Sequence, residues 1–230
     1  MLSILSIADS ISILNAIFGL FAILILIENF GLNSNLQIRL SFSLILLALL
    51  ADGFDGIVAR RFRKSEIGEI LDSMADMTSF VIAPSVFIYF VYSNAYDFLF
   101  YRNLYLVAAL ILFLSFGIIR LASFHLMKEK EIFIGLPTPA STIILLNLAF
   151  LKIDFIYILP IVVIIGATMV SSIKFPKPRM RMDLLAALLI ILTLIFGKSY
   201  YAIAPILLLF AIIIYVIIGP IFNKKFVNLQ

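Results

Sequence analysis

Residues 49–80 read LLADGFDGIVARRFRKSEIGEILDSMADMTSF, a segment that holds four aspartates inside two apolar stretches: Asp52, Asp55, Asp72 and Asp76. A charge at the bilayer centre costs about 2.5–3.5 kcal/mol even on a mild insertion scale, so such aspartates need partners or a wet cavity. The basic stretch ARRFRK between them marks the turn of a helical hairpin. Residues 52–76 are therefore predicted to form a helical hairpin that carries the chemistry of the protein.

Both helices of the hairpin gather their acidic and small residues on one face. At 100° per residue, the first helix presents one such set: Asp52, Asp55, Gly56 and Ala59. The second repeats the pattern at mainly i, i+4 spacing: Gly68, Asp72, Asp76 and Ser79. Asp52 lies eight residues before Arg60 and Asp76 lies eight after Gly68, which is about 12 Å of helix in each case. Antiparallel packing is therefore expected to bring the four carboxylates together.

Four carboxylates at short range repel one another, so the arrangement predicts bound cations. Oxygen ligands favour Mg²⁺, Mn²⁺ or Ca²⁺ over zinc, and a chain without cysteine offers no thiolate ligands. The alternative is that the aspartates are solvated helix caps or are neutralised by the arginines of the turn. Helix caps, however, do not need two matched stripes with glycine beside the carboxylates. Gly56 and Gly68 also suit close helix packing, so both roles are expected of them.

The composition is that of a membrane protein, with 64% hydrophobic and 13% charged residues against about 45–50% and 25% in soluble domains. Eight apolar runs predict an all-α, polytopic membrane helical bundle: 11–27, 40–50, 80–92, 104–119, 140–151, 155–173, 184–196 and 200–218. The run 140–151 is short and spans only if its neighbours shield its ends. Without linkers or repeats, residues 1–230 are expected to form a single integral membrane domain.

The distribution of basic residues predicts the orientation in the membrane. Most of the 17 lysines and arginines lie in the segments 60–64, 128–130, 174–181 and 224–225. With eight spans and both termini in the cytoplasm, all these segments are cytoplasmic, as the positive-inside rule expects. The other side then holds Arg39, Arg102, Lys152 and Lys198. A seven-span arrangement would place the basic segment 174–181 outside, against the rule.

The hairpin resembles the defining pattern of the CDP-alcohol phosphotransferases, which the chain matches at Asp52, Asp55-Gly56, Ala59-Arg60, Gly68, Asp72 and Asp76. The spacer between Arg60 and Gly68 is one residue shorter than usual, which leaves both helical faces intact. The resemblance implies the fold of that family and two metal ions, Mg²⁺ or Mn²⁺, held by the four aspartates. It implies that Asp76 is the base that deprotonates an alcohol, which attacks the lipid-bearing phosphorus and displaces CMP. It also assigns the CDP-lipid contacts: Gly56, Ala59, Arg60, Ser65 and Gly68.

Three further segments resemble the phosphatidylserine synthase branch: LDSMADMTSFVIAP at 71–84, FIGLPTPAS at 133–141 and MVSSIKFP at 169–176. The resemblance implies L-serine as acceptor and CDP-diacylglycerol or CDP-archaeol as donor. The segment RLASFHL at 120–126 departs from the branch pattern RLARFN at Ser123 and His125. Arg120, inside a span, is expected to bind the serine carboxylate or a lipid phosphate. Inositol phosphate or glycerol phosphate is the alternative acceptor and would require a further basic pocket.

The remaining predictions concern the first helix, the oligomeric state and the class of partner. Asn15 resembles a position of the family's first-helix pattern, where it either lines the nucleotide site or forms an interhelical hydrogen bond. Family members form homodimers, and small-residue faces promote helix association, so a homodimer is expected. Basic residues in short loops favour lipid headgroups over nucleic acid as partners. A cation transporter is the alternative class of protein. A transport path requires polar residues on both sides of the membrane midplane, whereas the four aspartates cluster toward one face of the membrane.

Overall fold

The computed structural model describes residues 6–28, 30–61, 65–94, 100–124, 132–178 and 180–227, without the side chains of residues 55–61, 94 and 222–227. These residues form helices α1 (Ile7–Ile27), α2 (Ser34–Arg61), α3 (Gly68–Asp76), α4 (Ala83–Asn94), α5 (Phe100–Phe124), α6 (Thr138–Phe150), α7 (Phe155–Met169), α8 (Met180–Phe196) and α9 (Ser199–Val227). A π-helix, Met77–Ile82, joins α3 to α4. Two short strands, β1 (Ile132–Ile134) and β2 (Lys174–Pro176), complete the described structure.

The prediction of an all-α, polytopic membrane bundle is confirmed. Each of the eight apolar runs lies largely in helix. The third run, 80–92, begins in the π-helix and continues in α4, and the run 155–173 extends beyond the end of α7 at Met169. Five helical segments in the described part of the chain are long and apolar enough to cross a membrane: Ile7–Ile27, Ser34–Phe54, Gly68–Ser93, Phe100–Phe124 and Ser199–Ile221. Shorter apolar helices of 13 and 15 residues follow in α6 and α7.

The shortness of α6 is explained by its position at the centre of the bundle. Nearly all of its side chains are buried, and it contacts α2, α4, α5, α7 and α9. The ring of Phe150 at its end stacks on Phe42 of α2, with 3.8 Å between the ring centroids. A helix that is apolar on every side and covered by protein does not need to match the thickness of the lipid.

Helix α1 begins at a capping box and packs against the hairpin. The Ser6 hydroxyl accepts a hydrogen bond from the Asp9 amide at 3.2 Å, and the Asp9 carboxylate accepts one from the Ser6 amide at 2.6 Å. This exchange satisfies two amides at the helix start. Farther along, a Cβ atom on Gly19 would lie 2.8 Å from the Cα atom of Ser79. Glycine therefore allows α1 to approach the π-helix closely.

The two strands were not expected from the sequence, because three-residue strands carry no recognisable alternation. They pair antiparallel with Phe133 opposite Phe175. Gly135, at φ +77°, turns the chain after β1, and its amide donates to the Ile173 carbonyl at 2.7 Å. This pairing places the connections before α6 and after α7 at the same end of the bundle, as eight helical runs require.

Candidate metal and active site

Three of the four aspartates of the hairpin meet in the structure. Asp52 comes from α2, and Asp72 and Asp76 come from α3. One carboxylate oxygen from each lies within 4.8 Å of the others, and all three side chains are half-buried. Oxygen atoms at such spacing from three carboxylates form a donor set suited to a hard divalent cation.

The other predicted residues of α2 are described only in their backbone. Asp55, Gly56, Ala59 and Arg60 continue the helix that carries Asp52, but their side chains lie outside the described part of the chain. Asp55 follows Asp52 in the chain by about one helical turn. The roles of these four residues stay predictions.

Asn15 links α1 to Asp76. Its side-chain amide is completely buried and donates a hydrogen bond from Nδ2 to Oδ1 of Asp76 at 3.2 Å. The backbone carbonyl of Asn15 accepts a hydrogen bond from the Ser79 hydroxyl at 2.8 Å. The structure therefore contains the interhelical hydrogen bond that was one of the two roles predicted for Asn15. It also places Asn15 against the carboxylate for which a catalytic role is predicted.

The π-helix after Asp76 is a feature that the sequence analysis missed. Pro84 has no amide hydrogen, so it cannot donate to the carbonyl of Phe80 as a residue at i+4 normally does. The Thr142 hydroxyl of α6 donates to that carbonyl instead, at 2.7 Å. π-helical turns occur frequently at functional sites, and this one begins at the residue that follows Asp76. The proline in the segment FVIAP was the available clue.

Ser65 and Gly68 lie where the chain enters α3. The Ser65 carbonyl accepts a hydrogen bond from the Gly68 amide at 3.1 Å, and Gly68 is buried as the first residue of α3. The Ser65 hydroxyl is also buried, and it has no hydrogen-bond partner among the described residues. A buried hydroxyl without a partner is uncommon and suits a hydrogen bond to a bound ligand.

Arg120 lies near the end of α5 and is 6% exposed. Its Nε donates to the Leu136 carbonyl at 3.3 Å, and its guanidinium lies 5.4 Å from the centre of the Phe124 ring. Among the described residues, Arg120 forms no ion pair with a carboxylate. Helix α5 contacts both α3 and the π-helix, and Gly117, one turn before Arg120, packs against Val81. His125 lies outside the described residues.

The segments that resemble one enzyme branch are neighbours in space in their described parts, 120–124, 133–141 and 169–176. Arg120 binds the carbonyl of Leu136, and the Leu136 amide donates to the Thr168 carbonyl at 3.0 Å. In α9, the Tyr215 hydroxyl donates to the Pro176 carbonyl at 3.0 Å. No chemical role is predicted for the last two helices from sequence, because one tyrosine in an apolar helix forms no recognisable pattern. The structure shows that α9 contacts the end of strand β2.

Comparison with known proteins identifies similar chains. The family model for CDP-alcohol phosphatidyltransferase matches residues 5–218. A CDP-diacylglycerol–serine O-phosphatidyltransferase of Methanocaldococcus jannaschii is 39% identical over 175 residues, 76% of this chain and 75% of the relative. One of the same name from Helicobacter pylori is 31% identical over 212 residues, 84% of this chain and 87% of the relative. The archaetidylserine synthase of Methanothermobacter thermautotrophicus is 34% identical over 182 residues, 76% of this chain and 71% of the relative.

Proposed function

Because the chain belongs to the CDP-alcohol phosphatidyltransferase family, we propose that it transfers the phosphatidyl or archaetidyl group of a CDP-lipid to the hydroxyl of L-serine. CMP is the second product. The observation that carries this function is the meeting of Asp52, Asp72 and Asp76 inside a membrane helical hairpin. The names of the similar chains support serine as acceptor.

The aspartates are the proposed metal ligands. Asp52, Asp72 and Asp76 would hold divalent cations through the oxygens that approach within 4.8 Å, and Asp55 would complete the set from the next turn of α2. Two metal ions are expected, either Mg²⁺ or Mn²⁺. The same oxygen ligands also suit Ca²⁺. When bound, the cations offset the negative charge of the diphosphate and of the leaving CMP.

Asp76 is the proposed general base. As the serine oxygen forms its bond to the lipid-bearing phosphorus, the bond from that phosphorus to the CMP oxygen breaks, and the hydroxyl proton moves to the Asp76 carboxylate. The hydrogen bond from Asn15 to Oδ1 of Asp76 holds this carboxylate in position.

The CDP-lipid is proposed to lie along the hairpin, next to Gly56, Ala59, Arg60, Ser65, Gly68 and Asn15. Small residues leave room for the nucleotide, and the Arg60 guanidinium suits a phosphate. The buried Ser65 hydroxyl, which lacks a partner among the described residues, supports a contact to a phosphate oxygen.

Arg120 is the proposed binding residue for the serine carboxylate. Its burial without an ion pair among the described residues fits a cation that receives an anion from the substrate. Attachment to the Leu136 carbonyl fixes the guanidinium against the loop that distinguishes the serine branch.

The proposed orientation places the active site and both termini on the cytoplasmic side, because most basic segments then face the cytoplasm. The proposed assembly is a homodimer. Measuring the particle mass in lipid nanodiscs tests the assembly, and a fully active monomer would refute it.

An acceptor panel tests the function. Purified protein is supplied with CDP-diacylglycerol or CDP-archaeol and with serine, inositol phosphate or glycerol phosphate, and lipid product and CMP are quantified. The proposal expects serine to be used far faster than either phosphorylated acceptor. Preference for a phosphorylated acceptor would retain the reaction class and reject the serine assignment. The better of the two lipids decides between diacylglycerol and archaeol.

A further inference from the structure

Three basic residues lie at the end of the bundle opposite to the aspartates, called here the distal end. Arg39 lies in the second turn of α2, Lys152 follows α6, and Lys198 lies between α8 and α9. Arg39 and Asp52 are separated by about 20 Å along α2 at 1.5 Å per residue. The distal end is therefore remote from the proposed reaction.

A cavity of about 220 Å³ lies among these elements, with Arg39 and Lys198 in its lining. The hydroxyl residues Ser43 and Ser199 also line it. The Nζ of Lys198 lies 4.7 Å from the centre of the Phe150 ring, which forms an apolar wall. Since a water molecule takes about 30 Å³ of liquid volume, the cavity has room for a phosphate group with a few waters.

The positive charge in this region has no protein counterion in the described part of the chain. None of Arg39, Lys152 and Lys198 forms an ion pair with a described carboxylate. The pKa of Lys198 is lowered, first by burial and then by the nearby charges of Lys152 and Arg39. Three cations that three separate elements bring together repel one another unless an anion lies between them.

An apolar groove of about 460 Å³ lies next to the cavity, between α8 and α9. Its lining includes Leu189, Leu192, Ile203 and Leu207, and it shares Phe196 and Ser199 with the cavity. Ile203 and Leu207 are exposed on the bundle surface, where lipid chains surround a membrane helix. The cation-lined cavity and the apolar groove thus form one continuous amphipathic surface.

We propose that the distal cavity binds the phosphate of an anionic phospholipid whose hydrocarbon chain lies in the α8–α9 groove. The positive charge of the cavity is complementary to the anionic phosphate of the headgroup. The leucine and isoleucine side chains of the groove suit the hydrocarbon chain of the lipid. Because Arg39 and Lys198 lie at helix ends, the phosphate is at the polar boundary of the bilayer, where headgroups reside. Helices α8 and α9 then have a lipid-binding role, and α9 in addition contacts β2 through Tyr215.

The test measures binding to purified protein in an uncharged detergent, with chelator present so that phosphate is not drawn to the aspartates through metal. The probes are dioctanoyl phosphatidylglycerol, dioctanoyl phosphatidylcholine and inorganic phosphate, and native mass spectrometry counts the bound molecules. Phosphatidylglycerol is expected to bind more tightly than both other probes. Arg39→Gln and Lys198→Gln should each weaken it by about fivefold, the usual contribution of one basic residue near anionic lipid.

Arg102→Gln is the matched control. Arg102 is also at the distal end, but its guanidinium stacks on Phe155 at 3.9 Å and does not line the cavity. This variant should bind phosphatidylglycerol as the unmodified protein does. Lys198→Arg retains the charge and should also retain binding, which separates loss of a ligand contact from loss of fold.

Equal binding of the two lipids would overturn the proposal, as would equal loss in the Arg102→Gln control. Inorganic phosphate that binds as tightly as phosphatidylglycerol would show a free anion as occupant and would reject the groove. Serine transfer by each variant is recorded separately, so failure of this proposal leaves the proposed function untouched.

Discussion

At the scale of single residues, the structure separates Asp76 from the other aspartates through its contact with Asn15. We predict that Asp76→Asn retains much of the CDP-lipid binding but lowers turnover by about 10²-fold or more, the usual scale of a general-base effect. Asp52→Asn should instead lose metal affinity and nucleotide affinity together. Binding isotherms and turnover are measured side by side on the purified variants. Near-normal turnover in Asp76→Asn would remove it from the base role.

Arg120 provides the second residue-scale prediction. Arg120→Gln should raise the KM for serine by about tenfold or more, because a charge-assisted hydrogen bond contributes about 1.5–3 kcal/mol. The KM for the CDP-lipid should change little. Arg102→Gln, at the distal end, should leave both constants unchanged. An unaltered KM for serine in Arg120→Gln would show that the carboxylate binds elsewhere.

At the scale of elements, the π-helix accepts a hydrogen bond from another helix. Thr142→Val removes the hydroxyl that donates to the Phe80 carbonyl but keeps the shape of the side chain. The loss should destabilise the protein by about 1 kcal/mol, which corresponds to a fall in Tm of about 2–4 °C for a chain of this length.

Thr193→Val is the control for this prediction. Thr193 is equally buried, and among the described residues its hydroxyl donates within α8, to the Leu189 carbonyl at 2.8 Å. We expect a smaller fall in Tm for Thr193→Val, because no contact between elements is lost. Equal melting temperatures for the two variants would mean that the Thr142–Phe80 bond does not hold the π-helix.

The helices could be predicted from sequence, whereas several contacts that shape the site could not. Apolar runs indicate spans directly, and helical spacing indicated that Asp52, Asp72 and Asp76 share a site. The π-helix depends on the absent amide of Pro84 together with a hydroxyl on α6, which is distant in sequence. Likewise, the Asn15–Asp76 hydrogen bond depends on how closely α1 approaches at Gly19. Such contacts between distant segments leave no local periodicity.

At the scale of the whole molecule, the orientation in the membrane is testable because the chain has no cysteine. Glu28→Cys and Ser172→Cys each introduce one thiol, in the connections after α1 and before β2. With both termini in the cytoplasm, an impermeable maleimide should label Glu28→Cys in intact cells. Ser172→Cys should react only after the membrane is permeabilised. The opposite pattern would reverse the proposed orientation.

For the whole molecule, metal dependence is the most direct test of transfer at the aspartates. Purified protein is treated with chelator and then supplied with CDP-lipid, labelled serine and graded Mg²⁺ or Mn²⁺, and labelled lipid and CMP are quantified. We predict no turnover after chelation and restored turnover with either metal, with one CMP released per lipid formed, because the bound diphosphate requires cationic charge that the aspartates themselves do not supply. Full activity in the metal-free protein would contradict the account.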